Sequence, residues 1–258
     1  MPIQRSGFGA KTANLICATS AGKQNVADRG KGADSVIRAI GGSDIAVWLE
    51  SDDITGVADG AEMLNWPTTV GATPTATSGK RPLYKVAGFN SRPAVLFDGT
   101  NDCLTWAGGA LNASDVENNT IVSTSVSATG NTAFSMIFEL GTNSTTQAGI
   151  GQAYNGSGKL WGTIGNGADT IVNSTKDTLA PNVNNVIVTT HDRTTNPDTY
   201  AGYVNGGQAT NVFAVGPSNT SGGSSWSTLS SNLGSRANGD SAPLSGHIRE
   251  FLILNRVI

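Results

Sequence analysis

The chain has 258 residues, 38% of them hydrophobic and only 14% charged, with Gly, Ser, Thr and Asn in place of the missing charge. That composition excludes a helical protein, which needs Glu, Lys, Leu and Ala at spaced positions, and suits short strands joined by tight turns. A formal charge of −3 gives no field that would steer the molecule to nucleic acid or an anionic membrane, and no run approaches the roughly 20 apolar residues of a membrane span.

Charge is unevenly placed. Residues 1–43 hold Arg5, Lys11, Lys23, Arg29, Lys31 and Arg38 against Asp28 and Asp34, a net of +4, so the remainder carries −7. The sequence therefore reads as a basic arm, 1–43, and an acidic body, 44–258. The arm either anchors the body to something else or packs on it. A short helix is expected near Ser35–Ile40. The apolar stretch Ala13–Ala18 is too short for a secretory h-region. Together with two isolated cysteines, this predicts manufacture in a reducing cytoplasm. Cys17 and Cys103 read as small buried hydrophobes, with a bridge between them as the alternative.

From Ser43 onward short apolar runs alternate with turn chemistry. Ile45–Leu49 predicts a strand, with Glu50–Gly60 as a polar loop. Pro93–Phe97 is a second strand, stopped by Asp98-Gly99, and Cys103–Trp106 a third. Phe134, Met136, Phe138 and Leu140 alternate with Ser135, Ile137 and Glu139, the period of a half-buried strand. Val186–Thr190 and Gly202–Asn205 continue the series, and Asn205-Gly206 signals a two-residue hairpin. His247–Leu254 is apolar enough to sit centrally in a sheet. Gly71–Lys80, Ala113–Asn119, Gly141–Ala148 and Ser218–Ser230 read as loops. The whole predicts an all-β, two-sheet antiparallel sandwich.

Catalytic chemistry is sparse. Glycosidases set two carboxylates about 5 Å apart or roughly 6.5–9.5 Å apart, yet Glu50, Glu62, Glu117, Glu139 and Glu250 are scattered. Glu50 with Asp52 and Glu117 with Asp115 have the spacing to share a face, but both pairs fall in predicted loops. His191 and His247 are the only histidines. His191, beside Asp192 at a strand end, reads as solvated or turn-stabilising rather than as a base. Zinc would lack ligands, and no phosphate-binding or dinucleotide motif is present. Glu250 is anomalous, because it shares a phase with Ile248, Leu252 and Leu254. Either a bulge resets the register, or a donor holds a carboxylate near the interior in a structural ion pair.

The motif Phe97-Asp-Gly-Thr-Asn-Asp-Cys-Leu104 resembles a hairpin hallmark of the laminin-G-like branch of the concanavalin A-like lectin/glucanase family. Ala46–Thr55 with Leu64-Asn-Trp66, Tyr203–Gly206, Leu233–Arg236 and Leu244–Arg256 resemble its other elements in the same order. The resemblance covers about 44–258. It implies a jelly roll that binds glycans or proteins, often with calcium at one rim; no other cofactor is expected. Asp98 and Asp102 would be the rim ligands here, though turn formation is the competing role for them. The acidic triad of the family's glucanases is missing, as are the signatures of its lyases, so no enzyme is expected.

A single module with a basic arm resembles the format of a bacteriophage virion protein, such as a head decoration, head fibre or tail accessory protein. On that reading the arm docks on other virion proteins, the sandwich faces outward toward host-surface glycans, and the protein resides in the virion, with homo-oligomerisation compatible. The alternative is a free carbohydrate-binding module, with Trp66, Tyr84, Tyr154, Trp161 and Trp226 as stacking platforms. Trp48 and Trp106 read as core.

Overall fold

The computed structural model describes residues 42–111, 118–127, 135–141, 148–154, 159–166, 170–178, 182–192, 199–205, 207–208, 213–214, 229–236 and 239–257. The anchoring residues Arg5, Lys11, Lys23, Arg29, Lys31 and Arg38, the expected Ser35–Ile40 helix and Cys17 lie outside them.

Two antiparallel sheets form a sandwich, in accord with the Thr- and Gly-rich composition. The larger sheet contains β1 (Ile45–Glu50), β2 (Thr68–Val70), β3 (Leu83–Phe89), β4 (Arg92–Asp98), β6 (Asn118–Ser127), β11 (Asn185–Asp192), β12 (Thr199–Val204), β13 (Gly207–Gln208), β14 (Phe213–Ala214) and β16 (Ser245–Leu254). The smaller runs β10 (Thr170–Thr178), β9 (Lys159–Asn166), β8 (Ala148–Tyr154), β7 (Ser135–Gly141), β15 (Ser231–Leu233) and β5 (Leu104–Trp106) in spatial order. Helical turns among the described residues are two three-residue 3₁₀ segments, Gly42–Asp44 and Ser51–Asp53.

The apolar run at the end of the sequence does become a central strand. β16 lies between β6 on one side and, on the other, β4 for its first half and β1 for its second. Ser245–Ile248 pairs with β4, and Glu250–Leu254 with β1. The change of partner coincides with a register shift against β6 between Ile248 and Glu250, so Arg249 is the extra residue of a bulge. That bulge answers the anomalous phase of Glu250. Ile248, Phe251 and Ile253 point between the sheets, while Leu252 and Leu254 join a cluster on the other face.

The inter-sheet core joins Val47, Leu49, Val95, Phe97, Ile121 and Phe251 of the large sheet to Leu104, Trp106, Phe138, Leu140 and Leu233 of the small one. Rings make its centre, with Phe251 at 5.9 Å from Trp106 and 5.4 Å from Phe138 between centroids, distances at which tilted aromatic pairs attract. The outward side of the large sheet carries a second apolar cluster, Ile45, Trp48, Val122, Leu252 and Leu254, with Val70, Val186 and Val188 packed against it. Trp48 and Trp106 are both buried, as read from the sequence.

Two strand expectations need correction. β7 is buried along its whole length rather than on one face, and its register shifts between Met136 and Phe138, which breaks the simple alternation. Glu50 is the last residue of β1 rather than the first of a loop. Turn chemistry fared better. Asn205 has φ +51° in the β12–β13 hairpin, where Val204 pairs with Gly207.

Candidate functional site

The change of β16's partner from β4 to β1 builds a charged network on the outward face of the large sheet. Glu50 and Glu250 stand directly opposite each other across the β1–β16 ladder, so their Cβ atoms are about 4.5–5.5 Å apart. The bulge presents Arg249 beside them. Its guanidinium reaches Glu50 Oε1 at 3.5 Å, Glu250 Oε2 at 3.7 Å and Asp52 Oδ2 at 2.6 Å. Arg92, entering β4, meets the same Asp52 oxygen at 3.5 Å. Trp48 Nε1 donates to Glu250 Oε1 at 3.2 Å, and Ser51 Oγ donates to the Arg249 carbonyl at 2.8 Å. Thr69 Oγ1 donates to Asp53.

Burial grades outward through this network. The Glu50, Arg249 and Glu250 side chains keep 11%, 13% and 16% of their exposure, whereas Asp52 and Arg92 keep 34% each and form the rim. Burial, then the facing Glu250, pushes the Glu50 carboxyl up to about 8 against the partial opposition of Arg249. Glu250 is raised too, chiefly by burial, with Arg249 and the Trp48 indole pulling the other way. Two facing carboxylates with one arginine between them hold a proton at neutral pH and titrate as a pair. Both readings offered for Glu250 are realised: a bulge resets its phase, and donors hold its charge.

The stacking residues are distributed differently from expectation. Trp66, Tyr84 and Tyr154 are buried members of the inter-sheet cluster, and a ring packed on every side cannot lie against a sugar face. The apolar environment of each outweighed its polar handle. Trp161 stands in β9 opposite Ala153, its side chain outside the described part, and Trp226 lies outside the described residues altogether.

At the rim hairpin, Asp98 Oδ1 accepts from the Thr100 and Asn101 N–H groups at 2.7 and 3.3 Å, and Asp102 Oδ2 accepts from the Asp98 N–H at 2.9 Å. These carboxylates cap their own turn. Burial raises Asp102 to about 6. Among the described residues no group of three or more His, Cys, Asp or Glu is placed to hold a metal.

His191, read as solvated or turn-forming, is instead buried in β11. Cys103 is a buried free thiol. On the outward face of the small sheet Arg236 Nε donates to the buried Glu139 at 2.8 Å, beside Asn232, which accepts from Thr105 Oγ1 at 3.1 Å. Glu117 and Asp115 lie outside the described residues.

Sequence reasoning missed the Glu50–Glu250 pair because the two residues are far apart in the chain and meet only through the β1–β16 register. One signal was present: a glutamate inside the most apolar closing strand.

No family model matches the chain, and no curated protein matches it. Solved structures do. Trypanosoma rangeli sialidase in complex with sialic acid aligns with a TM-score of 0.57 and 12% identity, over 84% of this chain and 31% of that one. The same sialidase with 2,3-difluoro-KDN gives the same values. The CBM40 of Ruminococcus gnavus IT-sialidase, bound to α2,3-sialyllactose, aligns at 0.44 and 16% over 55% of this chain and 77% of that one. The likeness is one of fold. This chain spans less than a third of the sialidase's length, and identities this low carry the β-sandwich architecture and nothing of the chemistry.

Proposed function

We propose that this chain is a carbohydrate-binding β-sandwich module that binds without cleaving, through the outward face of its larger sheet. The observation that carries this reading is the network of Glu50, Asp52, Glu250, Arg92 and Arg249 at the change of strand partner. Carboxylate oxygens and guanidinium forks are matched to the hydroxyl donors and acceptors of a sugar. They sit on a sheet face rather than between the sheets, with Asp52 and Arg92 forming the accessible edge. Among the residues whose side chains are described no large aromatic is exposed, so contact at this face rests on hydrogen bonds.

Two opposed carboxylates also invite a hydrolytic reading, which the geometry disfavours. A glycosidase holds the scissile sugar between its carboxyl groups, and here the Arg249 guanidinium lies within 3.5 Å of Glu50 and 3.7 Å of Glu250. The test is calorimetric titration of the purified protein with a saccharide panel, alongside an assay for reducing ends. Binding that weakens at least tenfold in Arg92→Met, with no release of reducing ends, is the expected result. Release of reducing ends that Glu50→Gln abolishes would overturn the binding-only reading.

A second reading concerns placement. The +4 arm of residues 1–43 joins a body carrying −7, a division suited to a virion surface protein whose arm docks on the particle. Removing residues 1–43 should then abolish particle association while leaving a folded sandwich. Unchanged association rejects this placement and leaves the glycan reading standing.

A further inference from the structure

The outward face of the larger sheet carries a row of apolar side chains that packing against the smaller sheet does not explain. Val70, Trp48, Leu252, Val122 and Val188 are successive register partners across β2, β1, β16, β6 and β11, a line about 19 Å long at the spacing of neighbouring strands. Ile45 and Leu254, also partners, extend it toward the start of β1. Burial is deepest in the middle. Ile45, Trp48, Val122, Leu252 and Leu254 keep 8%, 1%, 5%, 6% and 1% of their exposure, whereas Val70 and Val188 at the two ends are only partly buried. Side chains on one face of a sheet touch flank to flank and leave their tips open, so an indole reaches such low exposure only beneath a further layer of chain. The smaller sheet packs on the opposite face and is not that layer. The deeply covered part is three strands wide, about 10 Å between the outer two, close to the breadth of a single helix.

The path and composition of the chain before β1 identify the cover. The 3₁₀ turn Gly42–Asp44 bends the chain directly before Ile45. Its end is pinned there, because the Asn255 N–H donates to the Asp44 carbonyl at 2.8 Å and Arg256 meets the Asp44 carboxylate at 3.4 Å. The preceding chain thus begins at the edge of the covered patch. Val36, Ile37 and Ile40 recur at the spacing of one helical face, and Ile40 is five positions before Ile45, within about 17 Å of it even at full extension. Internal stretches outside the described residues, such as 142–147, 193–198 and 215–228, are rich in Ser, Thr, Asn and Gly and bring few apolar side chains. Charge agrees, since residues 1–43 carry +4 against −7 on the body, and opposite charge favours the contact at low salt.

We infer that residues 33–41 of this same chain lie on the outward face of the larger sheet, with Val36, Ile37 and Ile40 against Trp48, Leu252 and Val122. The contact does not depend on the glycan reading. It lies beside the charged network and leaves Asp52 and Arg92 at the rim, each with 34% of its exposure.

The experiment is thiol footprinting of the full chain carrying Cys17→Ser and Val122→Cys, with maleimide labelling located by mass spectrometry. Buried Cys103 serves as an internal reporter of global opening. Ile37→Asp/Ile40→Asp should speed labelling at position 122 at least tenfold while Cys103 stays protected. Leu15→Asp/Ile16→Asp, in the other apolar run before β1, should leave the rate unchanged. If the aspartate pair at 37 and 40 opens Cys103 as well, Ile37→Ala/Ile40→Ala is read in its place, with acceleration confined to position 122 expected. An unchanged rate at 122 in whichever pair keeps Cys103 protected overturns the inference. Acceleration by the 15/16 pair instead assigns the cover to another segment and also overturns it. Protection at 122 that fades on dilution of the unaltered arm would put a second copy of the chain there, and overturns it too.

Discussion

The raised carboxyl of Glu50 makes stability fall as pH rises, and Glu50→Gln should remove much of that fall. In the unfolded chain this group loses its proton near 4.5, whereas in the fold it keeps it to about 8. The folded state therefore binds more protons throughout that window. Unfolding free energy should drop by about 1.4 kcal/mol per pH unit from 4.5 upward, until the folded carboxyl itself ionises. By pH 7 the accumulated penalty is roughly 3 kcal/mol, and a glutamine, which has no proton to lose, avoids it. Asp102, raised to about 6, adds a slope of the same sign at lower pH. His247, lowered by burial and Lys85, adds one of the opposite sign below its ordinary value. The window from pH 7 to 8 is thus the one to read. Urea unfolding at pH 5, 6, 7 and 8 should show the wild type losing about 1 kcal/mol or more between pH 7 and 8. Glu50→Gln should lose less there, and at pH 7 should exceed the wild type by about 2–3 kcal/mol with an unchanged m value. Parallel pH profiles for the two proteins, or a variant less stable than the wild type at pH 8, would refute the reasoning.

Other substitutions test the fold around the site. Gly234 has φ +85°, and a Cβ there would lie 2.2 Å from two atoms of the buried Phe97 ring, so Gly234→Ala should cost about 3 kcal/mol by urea titration. A loss under about 0.5 kcal/mol would contradict that close approach. Trp66→Ala should cost about 3–5 kcal/mol, because it empties a fully buried ring site. The milder Trp66→Phe should leave every saccharide affinity unchanged; an affinity change would return Trp66 to the list of ligand contacts. Arg236→Met strips the 2.8 Å partner from Glu139, whose side chain is 4% exposed, and should cost about 3–5 kcal/mol. Adding Glu139→Leu should recover more than half of it, and failure to recover would show that the pair is not what Arg236 contributes.

Some strands were legible and others were not, for a physical reason. β4, β5, β11, β12 and β16 are compact apolar runs closed by Gly, Asn or Asp, and β1 is one closed by Glu50-Ser51-Asp52. β6, β8, β9 and β10 are built from Thr, Ser, Gly and Asn with few large side chains, as in Asn118–Ser127 and Thr170–Thr178. Period-two contrast is weak in such segments, and their pairing is specified mainly by neighbours already in place. The misplaced aromatics have a related cause. Trp66 and Tyr84 occupy short, polar-looking stretches, and the sequence could not show that these fold inward under Met63, Ile54 and Val95.

Composition and local pattern alone determined that the chain is all-β, that its closing strand is central, and that turns form at Asp98-Gly99 and Asn205, because these follow from backbone preferences over a few residues. Only the tertiary structure decided that Glu50 and Glu250 face each other with Arg249 between them. That meeting joins Trp48 to a residue 202 positions away and depends on a one-residue bulge in β16. A shift of a single residue in a ladder turns every side chain to the opposite face, so the site exists only where long-range pairing has selected one register among several the local sequence would permit.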